Sequence, residues 1–210
     1  MMLLLPLFPL NIVAFPHEDL NLKIFEPRYK QLINECIEQN STFGIPSYFN
    51  NKLQGYGTEM TVTQLVRTYP NGEMDIRTKG LRIFRIIDFH NPVEGKLYAG
   101  GEISYVNHEE ISEEISHELL NLVEKFYLTI NTPVNYLSST HQPFSFRIAH
   151  KIGLSLEEEY KLLITKTEQE RQKMLIVHLE KIIPIMQNIE KTKARIALNG
   201  HFKETDFLNF

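Results

Sequence analysis

The N-terminal stretch that ends at Tyr29 limits the possible folds most strongly, because prolines separate its short apolar runs. The runs are Leu3–Phe8 and Ile12–Phe15, and Pro6, Pro9 and Pro16 punctuate them. Proline lacks a backbone N–H and fixes φ, so it suits the start, edge or bend of a strand rather than the centre. The pattern therefore predicts a pair of short strands joined by bends.

The next run predicts a strand followed directly by a helix. Leu20–Phe25 alternates apolar and polar residues, which is typical of a half-buried strand. Glu26-Pro27 then ends the extended run, and proline is favoured at the first helical position. We expect this helix to bury one face. Its members are Tyr29, Leu32, Ile33, Cys36 and Ile37.

These strings resemble the start of a known domain family. LPLFPLNIVAFP, followed downstream by KIFEPRY, is similar to the opening of the Lon protease N-terminal (substrate-binding) domain family. Phe43-Gly44-Ile45, then GYGT from Gly55, then Asn71-Gly72 and the run to Arg85 follow in the family's order. The resemblance covers roughly residues 3 to 195. Its second half is matched by helical pattern, including SLEEEYKLL and TEQERQKML.

The resemblance implies an α+β fold, with a strand-rich, PUA-like subdomain followed by a four-helix C-terminal bundle. We expect the first subdomain to span residues 1–107, the helical bundle 108–199, and a tail 200–210. Tyr69-Pro70-Asn71-Gly72 predicts a hairpin between two strands of the first subdomain.

The apolar period becomes helical from Asn107 onward, which we interpret as a helix capped by Asn107 with Glu110 in a capping box. Pro143 is expected to open a short helix. Ser155 with Glu158, and Thr167 with Glu170, predict two further helix starts. Short connections between four such helices are typical of a bundle.

Composition favours a cytoplasmic protein without nucleic acid or membrane partners. The net charge of −4 and a pI near 6.1 lack the electrostatic footprint of a nucleic-acid-binding protein. The single cysteine, Cys36, cannot form an intrachain disulfide and fits a reducing compartment. No lysine or arginine precedes Lys23, so the positive region of a signal peptide is missing. No later apolar run has the length of a membrane span.

The motifs that would indicate catalysis or a metal site are incomplete. His117-Glu118 begins like a zinc protease helix, but Asn121 stands where the second histidine is required. The sequence from Gly153 lacks the last glycine of a hydrolase elbow, and we interpret Ser155 as a helix cap. The cluster from His17 to Asp19 is expected to be a solvated loop. We predict no metal and no cofactor.

The resemblance also implies that the chain is not an enzyme. Full Lon proteases carry an ATPase module and a serine–lysine peptidase module after this domain, and the present sequence ends before either. The family likeness therefore implies a free-standing substrate-binding domain, and no catalytic residue is carried over.

Binding remains as the expected function. The loop from Pro46 to Tyr56 holds a set of apolar side chains around a polar tip, and such anchors bind peptides or exposed hydrophobic segments. The set is Tyr48, Phe49, Leu53 and Tyr56. The equal alternative is that these side chains fold back into the core. We expect recognition of unfolded or hydrophobic protein segments, with the chain acting as an adaptor for a separate protease.

RNA binding is the alternative function, because PUA-like folds can bind RNA. A basic patch formed by Lys79, Arg82 and Arg85 would favour it, and the acidic overall balance argues against it. Arg28 is expected either to pair with a carboxylate such as Glu26 or to hold nearby carbonyls, and in both cases to fix the strand–helix junction.

Overall fold

A computed structural model describes residues 3–106, 114–133 and 142–201. Within these ranges the chain forms six strands and five helices. The strands are β1 (Leu3–Leu7), β2 (Asp19–Ile24), β3 (Phe43–Phe49), β4 (Lys52–Thr68), β5 (Met74–His90) and β6 (Ala99–Tyr105). The helices are α1 (Pro27–Gln39), α2 (His117–Thr129), α3 (Phe144–Ala149), α4 (Leu156–Ile164) and α5 (Glu168–His201). The α+β class is confirmed, and α2 to α5 form the helical second half.

The six strands make one sheet in the order β2-β5-β4-β3-β1-β6, and β5 also pairs with β6. This extra pairing closes β5, β4, β3, β1 and β6 into a ring. β1 and β3 are parallel, whereas the other pairs are antiparallel. β5 can join both β2 and β6 because it is long: residues 74–79 pair with β2 and residues 84–90 pair with β6.

The strand–helix junction forms as the sequence predicts. Pro27 lies at the first position of α1, where its missing N–H costs nothing. Arg28 donates to Glu26 at 2.9 Å through Nε and 2.7 Å through Nη2, which confirms the expected pair. Cys36 is buried, but Ile37 is 39% exposed and only borders the expected inner face.

The hairpin that the sequence predicts after Tyr69 joins β4 to β5. The Tyr69 N–H donates to the Glu73 carbonyl at 2.8 Å, and Gly72 has a φ of 75°. Glycine tolerates this left-handed conformation because it has no Cβ.

The first helix of the second half begins later than predicted. Residues 114–116 are described and are not helical, and α2 starts at His117 with the Ser116 hydroxyl accepting from the Leu119 N–H. The Ser116 N–H is already used, since it donates to Gln172 of α5 at 2.9 Å. Asn107 and Glu110 lie outside the described residues. The other predicted starts are confirmed, because Ser155 forms a capping box with Glu158, and the Thr167 side chain bonds to Glu170.

The core has one large cluster that unites the two halves of the chain. Leu119, Leu163 and Leu179 of the helices pack in the same cluster as Phe15 and Ile83 of the sheet half. A second cluster fills the space between α1 and the sheet. The predicted boundary at residue 107 lies outside the described residues, so the division at that point stays a prediction.

Candidate functional site

The four apolar residues predicted to bind peptides lie on one tight hairpin between β3 and β4. Asn50 and Asn51 form its tip with φ values of 53° and 55°. Two consecutive left-handed residues are what a two-residue hairpin turn of the favoured hand requires, and asparagine tolerates this conformation. Tyr48 pairs with Leu53 across the two strands. We call residues 46–56 the aromatic hairpin.

The aromatic hairpin divides its side chains between solvent and protein. Tyr48 is 39% exposed, and its N–H is held by the Leu10 carbonyl at 2.8 Å. Leu53 is half-buried beside it on the neighbouring strand. Phe49 and Tyr56 are also half-buried, and both rings contact Tyr160 of α4. Each of the two alternatives from the sequence therefore describes part of the hairpin, and peptide binding by the four residues stays a prediction.

Tyr160 is the residue that sequence reasoning missed. Its ring centroid lies 5.6 Å from that of Phe49 and 6.4 Å from that of Tyr56, both in edge-to-face geometry. Such aromatic pairs add roughly 0.5–1.5 kcal/mol each beyond their buried area. Burial raises the pKa of the Tyr160 hydroxyl. The only sequence signal was an aromatic residue within the otherwise charged first turns of a short helix.

A polar contact also holds the tip of the aromatic hairpin. The Asn50 side-chain amide donates to Glu157 of α4 at 2.7 Å. Together with the ring contacts of Tyr160, this bond fixes the hairpin against the helical half. Tyr48 is thus presented on a rigid support.

A second polar cluster joins the two halves around His150, which follows α3. Its Nδ1 lies 2.7 Å from Glu159 of α4, and its Nε2 lies 3.2 Å from Glu18 in the segment between β1 and β2. The ring also packs against Phe15, with 5.0 Å between centroids. Burial opposes the charged form of the ring, but the hydrogen bonds that the ring makes to the carboxylates of Glu159 and Glu18 outweigh it and raise the pKa of His150 to about 10.

The environment of Glu18 corrects the expectation of a solvated loop. Its carboxylate accepts the Phe15 N–H at 2.9 Å and contacts His150, and its side chain is only 17% exposed. The neighbouring residues His17 and Asp19 are exposed, as expected. Sequence alone could not identify this pair, because 132 positions separate Glu18 and His150.

Arg82 of the predicted basic patch is engaged within the protein. Its Nε donates to the buried carboxylate of Glu59 at 2.9 Å, and its guanidinium lies 3.7 Å from the ring centroid of Tyr105. Lys79 and Arg85 are exposed. A guanidinium that neutralises a buried carboxylate contributes less positive potential to the surface.

Among the described residues, no group of three or more His, Cys, Asp and Glu side chains has the arrangement of a metal site. No helix in the same ranges combines the length and apolarity that crossing a membrane requires.

Comparison with solved structures shows a shared fold. The structure of a Lon N-terminal domain protein from Xanthomonas campestris matches with a TM-score of 0.66 and 24% sequence identity, covering 84% of this chain and 98% of that chain. The N-terminal domain of the Lon protease of Mycobacterium avium complex matches with a TM-score of 0.64 and 13% identity, over the same shares of both chains.

A family model gives the assignment. The model of the ATP-dependent protease La (Lon) substrate-binding domain matches residues 4–181. This range includes all of the sheet except Leu3, and it also includes α1 to α4, the aromatic hairpin and the first part of α5. The chain belongs to the family of Lon substrate-binding domains.

Proposed function

We propose that this protein recognises unfolded or hydrophobic segments of other proteins and holds them without chemical change. The observation that carries the proposal is Tyr48, an exposed aromatic residue on a hairpin that the helical half holds in place. Family membership supports it, since the family is described by substrate binding.

The geometry suits apolar recognition for a physical reason. A tyrosine with few rotatable bonds supplies a large contact area at low entropic cost. Leu53, its cross-strand neighbour, extends the apolar surface. Because Phe49 and Tyr56 are already packed against Tyr160, little of the binding free energy is spent on ordering the hairpin.

The proposal also covers the cellular location of the protein, its lack of catalytic activity and its partner. We expect a cytoplasmic location and no enzymatic activity of the chain itself. We further propose that a separate protease receives the bound protein, so that the chain acts as an adaptor.

The test compares unfolded and folded forms of one model protein. The reduced and alkylated form and the native form are labelled, and binding to the full chain is followed by fluorescence anisotropy at low and high salt, with a generic RNA in parallel. We expect tighter binding of the unfolded form with little loss at high salt, because burial of apolar surface is screened far less than ion pairing. Equal binding of both forms, or strongly salt-dependent binding of RNA alone, would contradict the proposal.

The first prediction concerns Tyr48 itself. Tyr48→Ala should weaken binding of the unfolded protein at least about fivefold, since truncation of an anchoring residue costs more than about 1 kcal/mol. Phe25→Ala is the matched control, because Phe25 is 58% exposed and lies between β2 and α1 rather than on the hairpin. The same anisotropy titration measures both variants. Equal losses of affinity in the two variants would show that Tyr48 is not the contact with the unfolded protein.

A further inference from the structure

A groove between α4 and α5 lies outside the aromatic hairpin. Its cavity has a volume of about 360 Å³. Ligand pockets in proteins measure roughly 300–1,000 Å³, so this one is at the small end of that range. The groove and the hairpin flank the same helix: Tyr160 faces the hairpin, whereas Glu158 and Leu162 line the groove.

The lining of the groove is mainly apolar. Leu162 and Leu175 form a buried base, and Met174 and Val177 form part of the wall. Val177 is 49% exposed and lies two residues after the buried Leu175 in α5. Methionine adapts its shape to irregular partners. This surface can accept a large apolar side chain.

One lysine lies on each side of the exposed Val177 along α5. Lys173, Val177 and Lys181 are four residues apart along α5, so they form one line on the helix surface. Both lysines are exposed, and within the described parts of the chain neither forms an ion pair. Lys173 and Lys181 are eight positions apart, which corresponds to about 12 Å along the helix axis.

The one carboxylate of the groove is already engaged. Glu158 accepts the N–H and the hydroxyl of Ser155, both at 2.8 Å, and lies 3.4 Å from Nδ1 of His178. The backbone bond from Ser155 is the largest cause that lowers the pKa of Glu158. His178 in turn contacts the Ile152 carbonyl at 3.0 Å through Nε2. These bonds do not cancel the charge of Glu158, so the two lysines and the one carboxylate together give the lining of the groove a net positive charge.

We propose that this groove binds an extended protein segment in which a large apolar residue has an acidic residue two positions away on each side. In an extended strand, residues two positions apart share one face, and the two acidic residues would be about 13 Å apart. That separation matches the spacing of Lys173 and Lys181, while the central apolar side chain enters the cavity beside Val177. This inference rests on the proposed function and names the class of segment that is recognised.

The test uses three short labelled peptides with the full chain. The first, the glutamate peptide, contains Glu-Ser-Phe-Ser-Glu in a polar context. The second, the lysine peptide, replaces both glutamates with lysine, and the third keeps the glutamates and replaces the phenylalanine with serine. We expect the first peptide to bind about tenfold more tightly than either of the others, since each exposed ion pair and the buried ring add to affinity. Equal affinities, or no binding of any peptide, would overturn the proposal.

Charge reversal provides the decisive variant. Lys173→Glu combined with Lys181→Glu should reverse the preference, so that the lysine peptide binds more tightly than the glutamate peptide. The matched control is Lys151→Glu combined with Lys191→Glu, which changes the net charge equally at exposed lysines that do not line the cavity. Reversal in the control as well would show a bulk charge effect and overturn the groove as the site.

The outcomes separate this inference from the proposed function. If unfolded protein binds through Tyr48 and the peptides show no preference, only the groove proposal fails. If the glutamate peptide binds at the groove and unfolded protein is not preferred over native protein, the groove stands and the proposed function fails.

Discussion

At the scale of single residues, two glycines of β4 differ in whether the neighbouring backbone leaves room for a side chain. A Cβ added to Gly57 would lie 2.4 Å from the Ile45 carbonyl oxygen, whereas a Cβ added to Gly55 would meet nothing within 4 Å. Their close spacing indicated a special backbone position. Which of the two needed to be glycine depends on how β3 passes β4, which no local pattern specifies.

The prediction that follows concerns stability. Gly57→Ala should lower the free energy of unfolding by about 1–3 kcal/mol, since a methyl group forced against backbone displaces β3. Gly55→Ala should stay within about 0.5 kcal/mol of the unmodified protein, because its site is open. Urea unfolding followed by circular dichroism measures both. Equal costs at the two positions would contradict the role given to the β3 contact.

His150 makes stability depend on pH in a defined direction. Its pKa is raised from 6.5 to about 10 in the folded protein, so folding favours the protonated ring. The stabilisation is fully present below pH 6.5 and is lost as the pH rises towards 10. The groups that face the ring are Glu18 and Glu159.

This dependence is measured against a variant without the ring. The difference in free energy of unfolding between the unmodified protein and His150→Gln should be largest at pH 6.5 and should shrink steadily towards pH 10. Because lysines and tyrosines titrate equally in both proteins, the difference isolates His150. A constant difference across this range would disprove the coupling.

At the scale of elements, helix starts were predictable where one capping residue was available. Ser155 and Thr167 each stand three residues before a glutamate, and both helices begin there. The predicted start of α2 was wrong because Ile111 and Ile115 continue the apolar period upstream of Ser116. Periodicity does not show at which residue the helical backbone begins. The hydrogen bond from the Ser116 N–H to Gln172 helps to fix the start of α2.

The cap of α4 supplies a prediction at this scale. Ser155→Ala should cost about 1 kcal/mol, because the Glu158 N–H loses its acceptor at the helix start. Ser155→Thr keeps the hydroxyl and should cost clearly less. Thermal unfolding of both variants tests this. A similar loss in the two would mean that the hydroxyl does not carry the effect.

At the scale of the whole molecule, the class of fold was predictable and the contacts between the halves were not. Prolines between apolar runs, alternation in strands and helix caps each involve only a few neighbouring residues, so these patterns can be recognised in the sequence. The contacts of Asn50 with Glu157 and of Phe49 with Tyr160 join positions more than a hundred residues apart. The burial of Arg171, which pairs with Glu168 only three residues away, was also not predicted, because an arginine in a helical pattern ordinarily indicates an exposed face.

These long-range contacts decide which aromatic residues are free to bind. The aromatic hairpin was recognised from its composition, but only its packing on α4 distinguishes Tyr48 from Phe49. We therefore place the expected contact with unfolded protein at Tyr48 and Leu53, on the face of the hairpin away from Tyr160.

The most direct measurement is site-specific photo-crosslinking of an unfolded model protein to the full chain. A photoreactive amino acid is placed at position 48, with matched placements at position 25 and position 85. We predict strong crosslinks from position 48 to the unfolded form, weak ones to the native form, and only weak ones from the other two positions. Equal crosslinking from all three positions, or dominance of position 85, would contradict recognition through the aromatic hairpin.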